Sequence, residues 1–115
     1  MLNVAVLGSG YIGVMHLAAW KKIEGAHAVA VVDANEQAGR RAAKEHQCAY
    51  YATLGEALAE HTLDIADICL PTFLHEEFTV AAANAGLHVL CEKPVALGAE
   101  PFERMITACK RAGVK

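Results

Sequence analysis

Two textures alternate along this chain. Short, nearly continuous apolar runs such as Val4-Ala5-Val6-Leu7 and Val29-Ala30-Val31-Val32 are each followed by a stretch mixing apolar and polar positions at helical spacing. A run with no polar side suits a strand covered on both faces, as in a parallel sheet, whereas a half-covered strand alternates. The pattern predicts strands at Leu2–Leu7, His27–Val32, Ala49–Tyr51, Ile65–Cys69 and His88–Cys91. Between and after them it predicts helices near Tyr11–Ile23, Glu36–Gln47, Leu54–Glu60, Glu76–Ala85 and Glu100–Ala112. End signals support these bounds: Asn35 is placed to cap the second helix, Thr53-Leu54-Gly55-Glu56 has capping-box spacing, and Gly86 and Gly113 stand where helices stop. Five β-α repeats predict an α/β fold, a doubly wound parallel sheet forming one domain over residues 1–115. Gly113-Val114-Lys115 looks like a helix stop followed by the opening of another strand, so a fragment of a larger protein is expected.

Composition narrows the classes of partner. With 55% hydrophobic and 20% charged residues the chain is of globular rather than disordered type. A formal charge of -3 provides no basic field for nucleic acid. The longest apolar stretches, such as Ala26 to Val32, are far shorter than the ~20 residues of a membrane-spanning helix, and Met1-Leu2-Asn3-Val4 has no basic lead of a signal peptide. No membrane partner and a cytoplasmic location are therefore expected. Cys48, Cys69, Cys91 and Cys109 form no Cys-x-x-Cys pair and are read as reduced thiols. The six histidines show no metal-ligand spacing, and no metal is expected.

The chemistry begins at Gly8-Ser9-Gly10-Tyr11-Ile12-Gly13, between an apolar strand and an amphipathic helix. In that setting the first glycine permits a tight turn, the second lets the backbone approach a pyrophosphate, and the third lets the helix pack against the strand. The N–H groups opening the helix then face an anion. Asp33, at the end of the second strand and 20 positions after Gly13, stands where such a site uses an acid to accept from the adenosine ribose hydroxyls. Its competing use is to start a turn or cap the following helix. A carboxylate there repels a 2′-phosphate, which favours NAD over NADP; the helix after Asn35 is expected to carry Arg40 and Arg41 away from the ribose.

Two further segments leave strands at their carboxyl ends, where open α/β sheets bind ligands. One is Leu70-Pro71-Thr72-Phe73-Leu74-His75, the other Cys91-Glu92-Lys93-Pro94. A Glu-Lys pair leaving a buried strand is hard to explain by packing alone, because unpaired buried charge is costly. With the Gly8–Gly13 turn, His16, Asp33, Pro71-Thr72-x-x-His75 and Gly86-x-His88-Val89-x-x-Glu92-Lys93-Pro94, the whole chain resembles the amino-terminal domain of the Gfo/Idh/MocA oxidoreductases, the family of glucose–fructose oxidoreductase and inositol dehydrogenase.

That resemblance implies a Rossmann domain of a dehydrogenase moving hydride between a nicotinamide cofactor and a hydroxyl-bearing carbon of a sugar, cyclitol or related small molecule. Cofactor contacts are expected at Gly8, Ser9, Gly10, Tyr11, Ile12, Gly13, Asp33, Pro71, Thr72, His75, Glu92 and Lys93. Lys93 is the expected chief catalytic residue, hydrogen-bonding the reacting oxygen, and the Lys93–Pro94 bond is expected to be cis. His75 is a second catalytic candidate, with a plain helix-terminus role as its competitor; Thr72 contacts the cofactor or caps the next helix. The family's carboxyl-terminal α/β substrate domain, with its acid–base histidine, is absent from these residues, so the chain alone is expected to bind NAD and scarcely turn over. The complete protein is expected to be a homo-oligomer. A glycoside hydrolase using NAD transiently and a non-catalytic NAD sensor are the alternatives.

Overall fold

The computed structural model describes Met1–Lys115. Five strands and five α-helices alternate: β1 Leu2–Leu7, α1 Tyr11–Trp20, β2 Ala26–Val32, α2 Glu36–His46, β3 Ala49–Tyr51, α3 Leu54–Glu60, β4 Ile65–Ile68, α4 His75–Asn84, β5 His88–Cys91 and α5 Ala99–Ala112. All strand pairs are parallel, in the order β3-β2-β1-β4-β5. The order reverses at β1, whose two neighbours are β2 and β4, and this is the doubly wound arrangement.

Alternation along β1 explains the two layers. Val4 and Val6 join Leu17 of α1 and Ala42 and Ala43 of α2 in one buried cluster. Ala5 and Leu7 join Leu54 and Ala57 of α3 and Ala82 of α4 in another. All four β1 residues are fully buried, so neither face of the strand tolerates a polar side chain without partners.

Register matters more for function than packing does. Tyr51, Val32, Leu7, Ile68 and Cys91 pair in one row across the sheet. The next residue of each strand therefore falls on a common carboxyl edge, which brings Ala52, Asp33, Gly8, Cys69 and Glu92 side by side. Ladder bonds continue into that row, with the N–H groups of Asp33, Gly8, Cys69 and Glu92 donating to the carbonyls of Tyr51, Val32, Leu7 and Ile68.

Helix ends follow local chemistry. The Asn35 side chain accepts from Ala38 N–H at 3.1 Å, and Thr53 and Glu56 complete the reciprocal capping box of α3. Several boundaries differ from expectation. α1 stops at Trp20 rather than Ile23, because the chain must turn through Gly25, at φ +85°, to enter β2 beside β1. β4 stops at Ile68 rather than Cys69, and a 3-10 turn at Thr72–Leu74 precedes α4, which starts at His75. Lys115 lies beside β5, its carbonyl accepting from Val89 N–H at 2.8 Å. No helix is long and apolar enough to cross a membrane.

Leu17 is fully buried between α1 and the sheet. Leu17→Ala is expected to cost about 2–5 kcal/mol of unfolding free energy, the range for truncating a packed core leucine. A urea titration measures it, and a loss under about 1 kcal/mol contradicts the assignment of this face to the core.

Candidate functional site

A cleft of about 680 Å³ opens at the carboxyl edge where the strand order reverses, walled by the Gly8–Ile12 turn, Asp33-Ala34, Ala52-Thr53 and Cys69-Leu70-Pro71. Gly8 has φ +101°, and a Cβ on it would strike the Cys69 carbonyl. A Cβ on Gly13 would overlap the Gly8 carbonyl, so α1 meets the end of β1 backbone to backbone. Gly10 differs: a Cβ there would meet no protein atom within 4 Å, which leaves the room beside it to the cleft.

The start of α1 is built for an anion. Its N-cap, Gly10, has no side chain to accept from the first-turn N–H groups, and no acid occupies the first turn. Helices α2 and α3 have side-chain caps, and α4 and α5, which lack them, carry Glu76, Glu77 and Glu100 in their first turns, so α1 alone among the α-helices combines a bare N-cap with no first-turn acid. Free amides at the positive end of a helix suit a pyrophosphate, and the open space at Gly10 is where one fits.

Asp33 is fixed before any ligand arrives. Its Oδ2 accepts from Ser9 N–H at 2.8 Å and Ser9 Oγ–H at 2.5 Å, and its Oδ1 accepts from Asn35 N–H at 2.8 Å. A carboxylate offers about four lone-pair sites, so three protein donors leave Oδ1 room for one more donor such as a ribose hydroxyl. The turn-starting use of Asp33 and the ligand-facing use therefore coexist. Arg40 is committed elsewhere, to Glu36 Oε1 at 2.7 Å and to the face of the Tyr50 ring at 5.0 Å, while the Tyr50 hydroxyl donates to the Asp33 carbonyl.

The other expected residues divide. Pro71 lines the cleft; Thr72 caps nothing, opening the 3-10 turn beside it. Glu92 stands in the edge row next to Cys69, with Lys93 exposed after it and the Lys93–Pro94 bond cis. His75 requires a correction. It is 1% exposed, with Nε2 2.7 Å from the Leu70 carbonyl and Nδ1 3.2 Å from the Val95 carbonyl. A neutral imidazole carries one N–H, so His75 donates to one of these carbonyls, Leu70 being the nearer, and its buried ring sits between the loop after β4 and the loop after β5 rather than opening into the cleft.

The sequence reasoning passed over part of the wall and one buried acid. Ala52, Thr53, Leu74 and Phe78 line the far side of the cleft, and only the position of Ala52 and Thr53 after β3 could have signalled them. Asp67 sits fully buried in β4, holding His16 and Trp20 of α1. A lone acid inside the apolar run Ile65–Cys69 was a legible signal, since such a group demands donors. Although His16, Asp67 and Cys69 bring ligand-type atoms within 4.8 Å of one another, Asp67 is already occupied by its donors. Burial and the Asp67 carboxylate push the Cys69 thiol far above its ordinary range.

The model of the Gfo/Idh/MocA family, described as "Oxidoreductase family, NAD-binding Rossmann fold", matches residues 2–115. The chain belongs to that family. As its NAD-binding domain, it is 34% identical over 114 residues to 2,7-anhydro-N-acetylneuraminate hydratase of Escherichia coli (strain K12), covering 99% of this chain and 30% of that protein. It is 36% identical over 115 residues to an NADP(+) scyllo-inositol 2-dehydrogenase of Bacillus subtilis (strain 168), covering 99% and 35%. The WlbA dehydrogenase of Bordetella pertussis, solved with NADH and UDP-GlcNAcA, superposes with a TM-score of 0.92 at 31% identity, over 99% of this chain and 34% of that one. The NAD-binding domain thus spans about a third of the length of the relatives it matches.

Burial, together with the Glu92 and Asp67 carboxylates, pushes the Cys91 thiol up to about 11. A raised thiol pKa leaves little thiolate below it, so alkylation of Cys91 by iodoacetamide is expected to stay slow at pH 8 and to accelerate only as pH approaches 11. Peptide mass spectrometry of labelling against pH measures this, and rapid labelling of Cys91 at pH 7 contradicts it.

Proposed function

We propose that this domain forms the cofactor half of an enzyme that transfers hydride between NAD and a hydroxyl-bearing carbon of a sugar, cyclitol or related small molecule. The observation that carries the reading is the single edge row running Asp33, Gly8, Cys69 and Glu92, with the bare end of α1 above it. Bound NAD supplies the hydride acceptor. The Gly8–Gly13 amides hold its pyrophosphate, with Ser9 steadying Asp33 and Tyr11 and Ile12 forming the wall. Asp33 would take a ribose hydroxyl at Oδ1, and Pro71, Thr72 and Glu92 would border the cofactor.

Lys93 is proposed as the catalytic residue. Its ammonium donates to the substrate oxygen and stabilises the negative charge that develops as the alcohol becomes a carbonyl. The hydroxyl proton passes to a base that we place in a second, substrate-binding domain. Tyr11, Phe73 and Leu97 are large, exposed apolar side chains around this edge, a surface suited to being covered by such a domain. Four free cysteines support a cytoplasmic setting.

A redox-neutral reading has one observation in its favour, the hydratase name of the E. coli relative. In that case hydride leaves the substrate and returns to it, so no NADH accumulates.

Asp33→Ala is expected to raise the NAD dissociation constant roughly tenfold, the worth of a charge-assisted hydrogen bond, and to narrow the gap between NAD and NADP. Calorimetric titration of both cofactors tests this, and equal NAD affinity in the two proteins contradicts it. In a protein carrying this domain with its substrate domain, Lys93→Ala is expected to spare NAD binding and slow turnover by roughly 10²–10³-fold. An unchanged rate sinks the role of Lys93, and substrate turnover without net NADH assigns the redox-neutral chemistry instead.

A further inference from the structure

Asp67 is a carboxylate with no solvent exposure, in the strand next to β1. Stripping a carboxylate of water costs several kcal/mol, so such a group persists only among donors. Trp20 Nε1–H donates to Oδ2 at 2.7 Å, and His16 Nδ1 lies 2.9 Å from Oδ2 and 3.0 Å from Oδ1. The Cys69 thiol adds a weak contact at 3.6 Å. His16 and Trp20 stand four residues apart on α1, hence on one face, and together clamp α1 to β4.

His16 has a second end. With Nδ1 turned inward, Nε2 faces outward and lies 3.9 Å from Glu92 Oε1, both side chains being about a quarter exposed at 26% and 28%. A small rotation of Glu92 would bring the two into hydrogen-bond distance. A clamp that served only to join α1 to β4 would need no nitrogen aimed at an acid in the edge row. The order of contacts is therefore Asp67 to His16 to Glu92, running from the core to the residue before Lys93.

We propose that Asp67 and His16 form a positioning pair for the Glu92-Lys93 edge: the buried carboxylate accepts from Nδ1–H and sets the imidazole, and the imidazole, carrying a proton on Nε2 as well, sets the Glu92 carboxylate that faces NAD. The pair touches neither cofactor nor substrate. It acts through Glu92, and so rests on the reading above in which Glu92 borders the cofactor.

The test is a double-mutant cycle on the full chain, read as NADH affinity by fluorescence titration. Glu92→Gln and His16→Phe are each expected to weaken NADH binding roughly threefold to tenfold, with the double variant no weaker than Glu92→Gln alone. Additive losses, or wild-type affinity in His16→Phe, overturn the proposal. If Glu92→Gln binds NADH like wild type, the contact between Glu92 and NAD falls and the positioning role with it. Nitrogen-15 NMR of the His16 ring then reports the geometry without altering His16, so it also covers a His16→Phe chain that fails to fold. Protons on both Nδ1 and Nε2, with an Nε2 resonance that moves on Glu92→Gln, support the contact order; an Nε2 without a proton, or an unmoved Nε2 resonance, overturns it.

Discussion

The contact on which the site depends is the approach of Gly13 to the carbonyl of Gly8, too close for any side chain. Because α1 and the end of β1 meet there through backbone alone, the helix starts directly above the edge of the sheet. Its uncapped amides then open into the cleft rather than into solvent beside it. The same turn places Ser9 where its N–H and hydroxyl hold Asp33. Further along α1, the direction set by that contact lays His16 and Trp20 across β4, and Asp67 receives them. One backbone contact thus positions the phosphate end, the ribose acid and the buried clamp.

The NAD-binding domain also shows how polar groups are kept inside a parallel sheet. Asp67 and His75 are both buried; Asp67 is met by donors 47 and 51 residues away, whereas the His75 ring faces carbonyls 5 and 20 residues away. The ring sits between the loops after β4 and β5, the first bearing Pro71 and the second Lys93. A buried polar ring of this kind orients the chain around it in a way that apolar packing does not, because its hydrogen bond is lost if the loop it donates to shifts.

Much of the frame was legible from the chain alone. β1, β3, β5 and α3 fall where the apolar runs and caps put them; continuous burial holds for Val4–Leu7 of β1, while the edge strands β3 and β5 have no buried residue, and reciprocal capping bounds α3. The failures have a common cause. α1 ends early because β2 must be reached in register, and His75, which reads as a polar residue opening a helix, is buried because the Val95 loop folds onto it. Asp67 shows in the sequence as a lone acid in an apolar run, but its donors, 47 and 51 residues away, do not.

The sequence by itself determined the periods of the strands and helices, the glycine turn and the acid at position 33, since each is a property of neighbouring residues. The resemblance to an NAD-binding oxidoreductase family rests on those features together with Pro71-Thr72-x-x-His75 and Gly86-x-His88-Val89-x-x-Glu92-Lys93-Pro94. Only the tertiary structure decided that Asp33, Gly8, Cys69 and Glu92 share one row, that three donors hold Asp33 and leave it one open site, and that His16 looks toward Glu92. Those are matters of register between parallel strands, fixed by hydrogen bonds across crossover connections, and no local pattern of residues encodes them.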